Sequence, residues 1–186
     1  MRECLAELPI DLLVPDDLAD PPAKPHEEKD TFEGNAIQKA RYYFEKAGVP
    51  SIADDSGILV EALEKELGIH TRRWGAGPEA SDEEWIAYFL ERMKKESNRR
   101  ARFVCVIAFI NEAGECWTFE GHCDGVITDT LEADYLPGLP ISACFKPVGS
   151  SKVFSALSVE EKNRVSHRGK ALHGLRDFLQ EFLSES

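Results

Sequence analysis

A chain of 186 residues, 42% hydrophobic and 30% charged, has the size and balance of one globular domain with enough material for a buried core. Its net charge of −12 argues against broad binding to a nucleic-acid polymer, which needs a basic footprint, yet leaves room for a nucleotide held by a few local cations and a divalent metal. The longest strongly apolar run, Phe103 to Ile110, is far shorter than a membrane span, and the five cysteines show no Cys-x-x-Cys spacing. With Arg2, Glu3 and Glu7 among the first apolar residues there is no signal-peptide core, so the expected location is cytoplasmic, with no membrane partner.

In chain order, residues 2–8 have helical composition, and Ile10 to Val14 is a short apolar run suited to a strand. Residues 15–30, with Pro15, Pro21, Pro22 and Pro25 among acidic residues, are expected to form an exposed loop. Thr31 is a candidate N-cap for a helix from Phe32 to Ala47, stopped by Gly48, with Ala36, Ala40, Tyr43, Phe44 and Ala47 on one face. Ser51 to Asp54 is expected to be a brief buried strand ending in Asp54-Asp55-Ser56-Gly57, with residues 58–66 helical. A glycine-punctuated loop from Gly68 to Gly77 follows, carrying Arg72, Arg73 and Trp74. The Ser81/Glu84 pair is a capping box opening a helix to about Glu96. Arg102–Asn111 and Glu115–Val126 form the arms of a β-hairpin turning at Glu112-Ala113-Gly114. Residues 130–148 hold three prolines and resist a regular assignment. A second capping box, Ser158/Glu161, precedes a closing helix from Ser166 to Leu183. Helices alternating with strands around a central hairpin predict an α/β fold with a mixed sheet covered by helices.

Two clusters carry chemistry. Adjacent carboxylates at Asp54 and Asp55, placed where a strand ends, supply hard oxygen ligands for magnesium and a base for an attacking water. Ser56 and Gly57 at a helix start would offer backbone N–H groups to phosphate. The plainer alternative is that Asp55 or Ser56 caps the helix and Gly57 permits the turn. Later in the chain, Lys162, His167 and Arg168 gather near a helix N-terminus, a point charge and a planar fork suited to phosphate or a base carbonyl. The plainer alternative there is a solvated helix start of mixed charge.

Together, Ala53-Asp54-Asp55-Ser56-Gly57 and Glu161-Lys162-Asn163 through Ser166-His167-Arg168-Gly169 resemble the inosine triphosphate pyrophosphatase family. Thr31-Phe32-Glu33-Gly34-Asn35-Ala36 with Lys39-Ala40, Gly77 to Glu84, Arg99 to Val104 and Gly121 to Ile127 extend the likeness over nearly the whole chain. The resemblance implies a mixed central β-sheet flanked by helices, in two lobes with a cleft. It implies a magnesium-dependent enzyme that cleaves a non-canonical purine nucleoside triphosphate to the monophosphate and pyrophosphate, typically as a homodimer. By similarity, Asp55 is the catalytic base or magnesium-linked carboxylate with Asp54 beside it as metal ligand, and Ser56 contacts phosphate. Lys162 reaches the nucleotide, and His167 with Arg168 reads the 6-oxo edge of the purine.

Three departures accompany the likeness. Met1-Arg2-Glu3 aligns just beyond the family's Ser/Thr-x-Asn-x-x-Lys loop, so residues 1–186 are expected to form a single domain without that first strand and phosphate loop. The family's helix glutamate, a magnesium ligand, falls at Gly34, and Glu33 is turned from it by about 100° on a helix. The family's base-stacking loop aligns with Gly138 to Ala143, where Leu139 and Ser142 replace an aromatic and an acid. These departures motivate an alternative: a catalytically impaired homologue serving as a nucleotide-binding or partner subunit.

Overall fold

The computed structural model describes residues 1–64, 66–67, 74–77 and 79–185. The chain falls into two compact units, residues 1–56, 105–121 and 170–186 in the first and 57–104 with 122–169 in the second. A four-stranded antiparallel sheet in the order β1-β2-β3-β4 is made by Ser51–Val60, Arg100–Ile110, Cys116–Ile127 and Phe145–Pro147. The α/β class stands, with a sheet that is not strictly parallel. The first three strands each contribute residues to both units.

The hairpin of β2 and β3 forms where apolar arms flank a turn that Gly114 permits at φ 78°, the Asn111 amide donating to Glu115 O at 3.1 Å. From Phe103 to Ile110 every residue of β2 is buried, which explains why this inner strand reads as a continuous apolar run rather than an alternating one. Short β4 pairs with the end of β3, Gly125 opposite Pro147 and Ile127 opposite Phe145.

In the first unit, α1 (Arg2–Leu5) and the segment after it lie on the core of Leu5, Cys105, Ile107, Phe109, Ala171, Leu172, Leu175 and Leu179. The expected strand at Ile10–Val14 does not form. Leu8, Ile10 and Leu12 still pack on that core at every second position, so the alternation is real, but the segment has no ladder partner. Helix α2 (Phe32–Ala47) has the expected bounds: Thr31 Oγ1 accepts from the Gly34 amide at 3.0 Å, and Gly48 ends the helix in the left-handed region. It buries Phe32, Asn35, Ala36 and Ala40.

In the second unit, the Ser81/Glu84 capping box opens α3 (Asp82–Met93), whose buried Trp85, Ile86, Phe89 and Met93 form one stripe. They join Ile58, Phe103, Phe145 and Phe154 in a separate core. Trp74, partly buried, packs edge-on against Trp85, Tyr88 and Phe89 at the margin of this core. Arg72 and Arg73 lie outside the described residues. The second capping box, Ser158/Glu161, opens α4 (Val159–Val165), and α5 (His167–Glu185) closes the chain.

Candidate active site

The acidic motif is not where a strand ends. β1 runs for 10 residues through Asp54-Asp55-Ser56-Gly57, and a 3-10 turn at Glu61–Leu63 replaces the helix expected over 58–66. Ser56 and Gly57 therefore open no helix, and neither Asp55 nor Ser56 is a helix cap. The motif's polar residues are weak strand formers on their own, and they are held extended by pairing with the apolar β2.

Successive strand side chains point to opposite faces, so the two neighbouring carboxylates meet different surroundings. Asp54 Oδ2 accepts from the buried Cys105 thiol on β2 at 3.9 Å. Asp55 Oδ1 accepts from Lys39 Nζ of α2 at 2.8 Å. The same ammonium donates to Glu27 Oε1 at 3.1 Å, so one lysine gathers two carboxylates. The Lys39 and Asp55 side chains are only 12% and 13% exposed, which places the pair away from the solvent screening that weakens surface ion pairs. Burial works against the Lys39 charge, but hydrogen bonds and charge from Asp55 and then Glu27 outweigh it and hold its pKa above the ordinary amine value.

Neither Lys39 nor Glu27 stands out as a site residue in the sequence. Lys39 belongs to the Lys39-Ala40 match and lies one helical turn from Asn35, a weak signal that it faces the same way. Glu27 lies in an irregular acidic loop, where nothing local marks one carboxylate from the next. Glu33, by contrast, is engaged elsewhere: its Oε1 accepts from Thr118 Oγ1 of β3 at 2.9 Å.

The remaining expected residues belong to the second unit. Lys162, on α4, donates from Nζ to the Ser155 carbonyl at 3.2 Å, anchoring the 3-10 turn Phe154–Ala156. Ser166 caps α5, its Oγ accepting from the Gly169 amide at 2.9 Å. His167, the first residue of α5, is buried and stacks on Phe103 with ring centroids 4.9 Å apart and planes 12° apart, with Phe154 tilted beside it. Arg168 is exposed. In the Gly138–Ala143 segment Ser142 is fully buried, and its Oγ accepts from the Leu136 amide at 3.0 Å, so this residue holds its own loop together. Leu139 packs against the second unit's core.

These placements, an acid-lysine-acid arrangement on β1, α2 and the loop before α2 and a stacked histidine at the start of α5, sit on a chain whose residues 1–178 match the model of the Ham1 family. The chain belongs to the Ham1 family. Relatives named dITP/XTP pyrophosphatase include that of Leptospira interrogans, 42% identical over 176 residues that cover 95% of this chain and 88% of the relative. That of Thermus thermophilus is 39% identical over 177 residues, covering 94% and 83%. Among solved structures, a HAM1 protein from Coxiella burnetii superposes with a TM-score of 0.86 at 33% identity, over 97% of this chain and 91% of that one. The likeness to inosine triphosphate pyrophosphatases read from the motifs thus holds across nearly the whole Ham1-family chain.

Among the described residues no three His, Cys, Asp or Glu side chains converge into a metal cage. Magnesium is commonly held by one or two carboxylates, with water and substrate phosphates completing its shell, so the hard oxygens of Asp55 suit it without such a cage, whereas Asp54, expected beside it as a ligand, lies on the opposite face of β1 toward Cys105.

Proposed function

We infer that this Ham1-family protein is a nucleoside triphosphate pyrophosphohydrolase acting on non-canonical purine nucleotides, releasing the monophosphate and pyrophosphate. The observation that carries the mechanism is the largely buried Asp55–Lys39 pair on β1 and α2. The relatives' names favour this enzyme over an impaired, purely binding homologue.

Asp55 is the catalytic carboxylate: it holds the attacking water and takes its proton. Lys39 keeps that carboxylate in one orientation and leaves positive charge beside the phosphates, where phosphoryl chemistry depends on positioning and on electrostatic stabilisation. Ser56 offers its hydroxyl to phosphate. Lys162 contributes charge toward the nucleotide from α4, and His167 with Arg168 donates to the 6-oxo edge that separates keto-purines from adenine. Asp55 is the residue that would hold magnesium, and the metal would supply positive charge against the phosphate oxygens. A homodimer in the cytoplasm is the proposed working form.

The test is a panel of dITP, ITP, XTP and the canonical nucleoside triphosphates with Mg2+, products resolved by 31P NMR. Monophosphate and pyrophosphate released one for one from dITP and XTP in preference to dATP is the expected result. Release of inorganic phosphate with a diphosphate, or no release from any nucleotide, overturns the reading.

A further inference from the structure

The loop before α2 is fastened onto that helix at two points. The Lys29 amide donates to Asn35 Oδ1 at 2.9 Å, and the Glu28 amide donates to Gln38 Oε1 at 3.3 Å. Asn35 is 5% exposed, so a buried side-chain amide is committed to holding backbone rather than to filling the core. Gly34 lies directly beneath this strap. A Cβ built there would stand 2.9 Å from Lys29 Cβ and 2.9 Å from Thr31 Oγ1, too close for either to stay where it is. Glycine is a poor helix former. Its place in the first turn of α2 is explained by the room it leaves for the strap.

What the strap carries is Glu27. Its Oε1 takes a hydrogen bond from Lys39 Nζ at 3.1 Å, while the same nitrogen donates to Asp55 Oδ1 at 2.8 Å. A lysine ammonium is a point charge with three donors on a flexible four-carbon stem, so a single carboxylate leaves it free to swing. A second carboxylate from an independent element fixes it.

We propose that Glu27 is a positioning residue of the Asp55 site, delivered by a strap that Gly34, Asn35 and Gln38 seat on α2, and that it sets the Lys39 ammonium against Asp55. This rests on the assignment of Asp55 above. Glu27 touches neither substrate nor water in this scheme; it acts through Lys39. The competing explanation is an ion pair that only fastens the loop.

Three variants of the 186-residue chain separate the two: Glu27→Gln, Glu27→Asp and Gly34→Ala. With dITP and Mg2+, Glu27→Gln is expected to lower kcat about tenfold or more, as small misplacements of catalytic groups do, and to leave KM within about twofold. Glu27→Asp, which keeps the charge, recovers part of the loss. Gly34→Ala lowers kcat in the same way although alanine favours the helix, because the added methyl displaces the strap without touching Glu27, Lys39 or Asp55. The second readout needs no turnover: acylation of Lys39 by an amine-directed reagent, quantified by mass spectrometry on the folded protein, rises in Glu27→Gln and Gly34→Ala. Wild-type kcat in both variants, or a lost kcat with unchanged Lys39 acylation, overturns the proposal. A fall in melting temperature with kcat of the folded protein intact assigns Glu27 to loop fastening alone and also overturns it. Full activity of Asp55→Asn would instead defeat the Asp55 assignment, whatever Glu27 does.

Discussion

Asp55 in the first unit and His167 in the second are both held firmly, by different physics. Around Asp55 the partners are charged: Lys39 and, through it, Glu27. Around His167 they are aromatic: Phe103 stacked and Phe154 tilted. An ion pair loses its effect when one charge is removed even if shape is kept, because the other is left uncompensated. A stack survives a change of ring chemistry and fails when volume is lost. The two regions should therefore answer differently to conservative and to truncating substitutions.

The largest effect is expected at Lys39. Lys39→Ala leaves Asp55 and Glu27 without their shared cation, and kcat should fall about 10²-fold, the scale of losing one preorganised electrostatic partner. Stability should fall by about 1–3 kcal/mol, the usual cost of an unsatisfied, partly buried polar group, read from denaturant unfolding. If charge is what matters there, Lys39→Met, which keeps most of the volume, should do no better.

His167 should show the opposite pattern. His167→Ala opens space beside Phe103 and should cost about 1–3 kcal/mol. His167→Phe keeps the stack and should retain most of that stability while raising KM for dITP about tenfold, since only the ring's polar atoms are lost. A phenylalanine variant with unchanged KM would assign His167 to packing alone.

The smallest effect concerns the α4 cap that precedes these residues. Ser158→Ala removes half of the capping box and should cost about 1 kcal/mol, or a fall of roughly 2–4 °C in Tm. The Glu161 carboxyl is held below its ordinary value first by the Ser158 amide and then by Lys152. Because its folded pKa is depressed, the contribution is present above the ordinary glutamate value and is lost as pH falls through the lowered one. Faster amide exchange in α4 on acidification, beyond the intrinsic pH effect, is the expected observation.

The sequence made the helices legible because their ends are written locally. Thr31, Ser81 and Ser158 each accept from the amide three residues on, as their spacing indicates, and Gly48 and Gly114 mark places where positive φ is needed. β1 was legible only in its first residues. Asp54-Asp55-Ser56-Gly57 has the composition of a turn or a cap, and pairing with β2, nearly 50 residues away in sequence, overrides that local preference. The same limit applies to the site. Asp55, Lys162, His167 and Arg168 were marked by motif, whereas Lys39 and Glu27 acquire their relation to Asp55 only once a loop, a helix and a strand are brought together. Gly34 shows the reverse. It looks like the loss of a carboxylate in the sequence, and in the fold it is the space over which another carboxylate arrives.

The most direct test of Asp55 as the catalytic carboxylate is single-turnover pyrophosphate release from dITP with Mg2+, comparing wild type and Asp55→Asn, with dITP binding measured on the same preparations. The expected result is a loss of about 10³-fold in the chemical step, with the substituted protein still folded and still binding nucleotide. Release by Asp55→Asn at a rate within about tenfold of wild type would contradict the account.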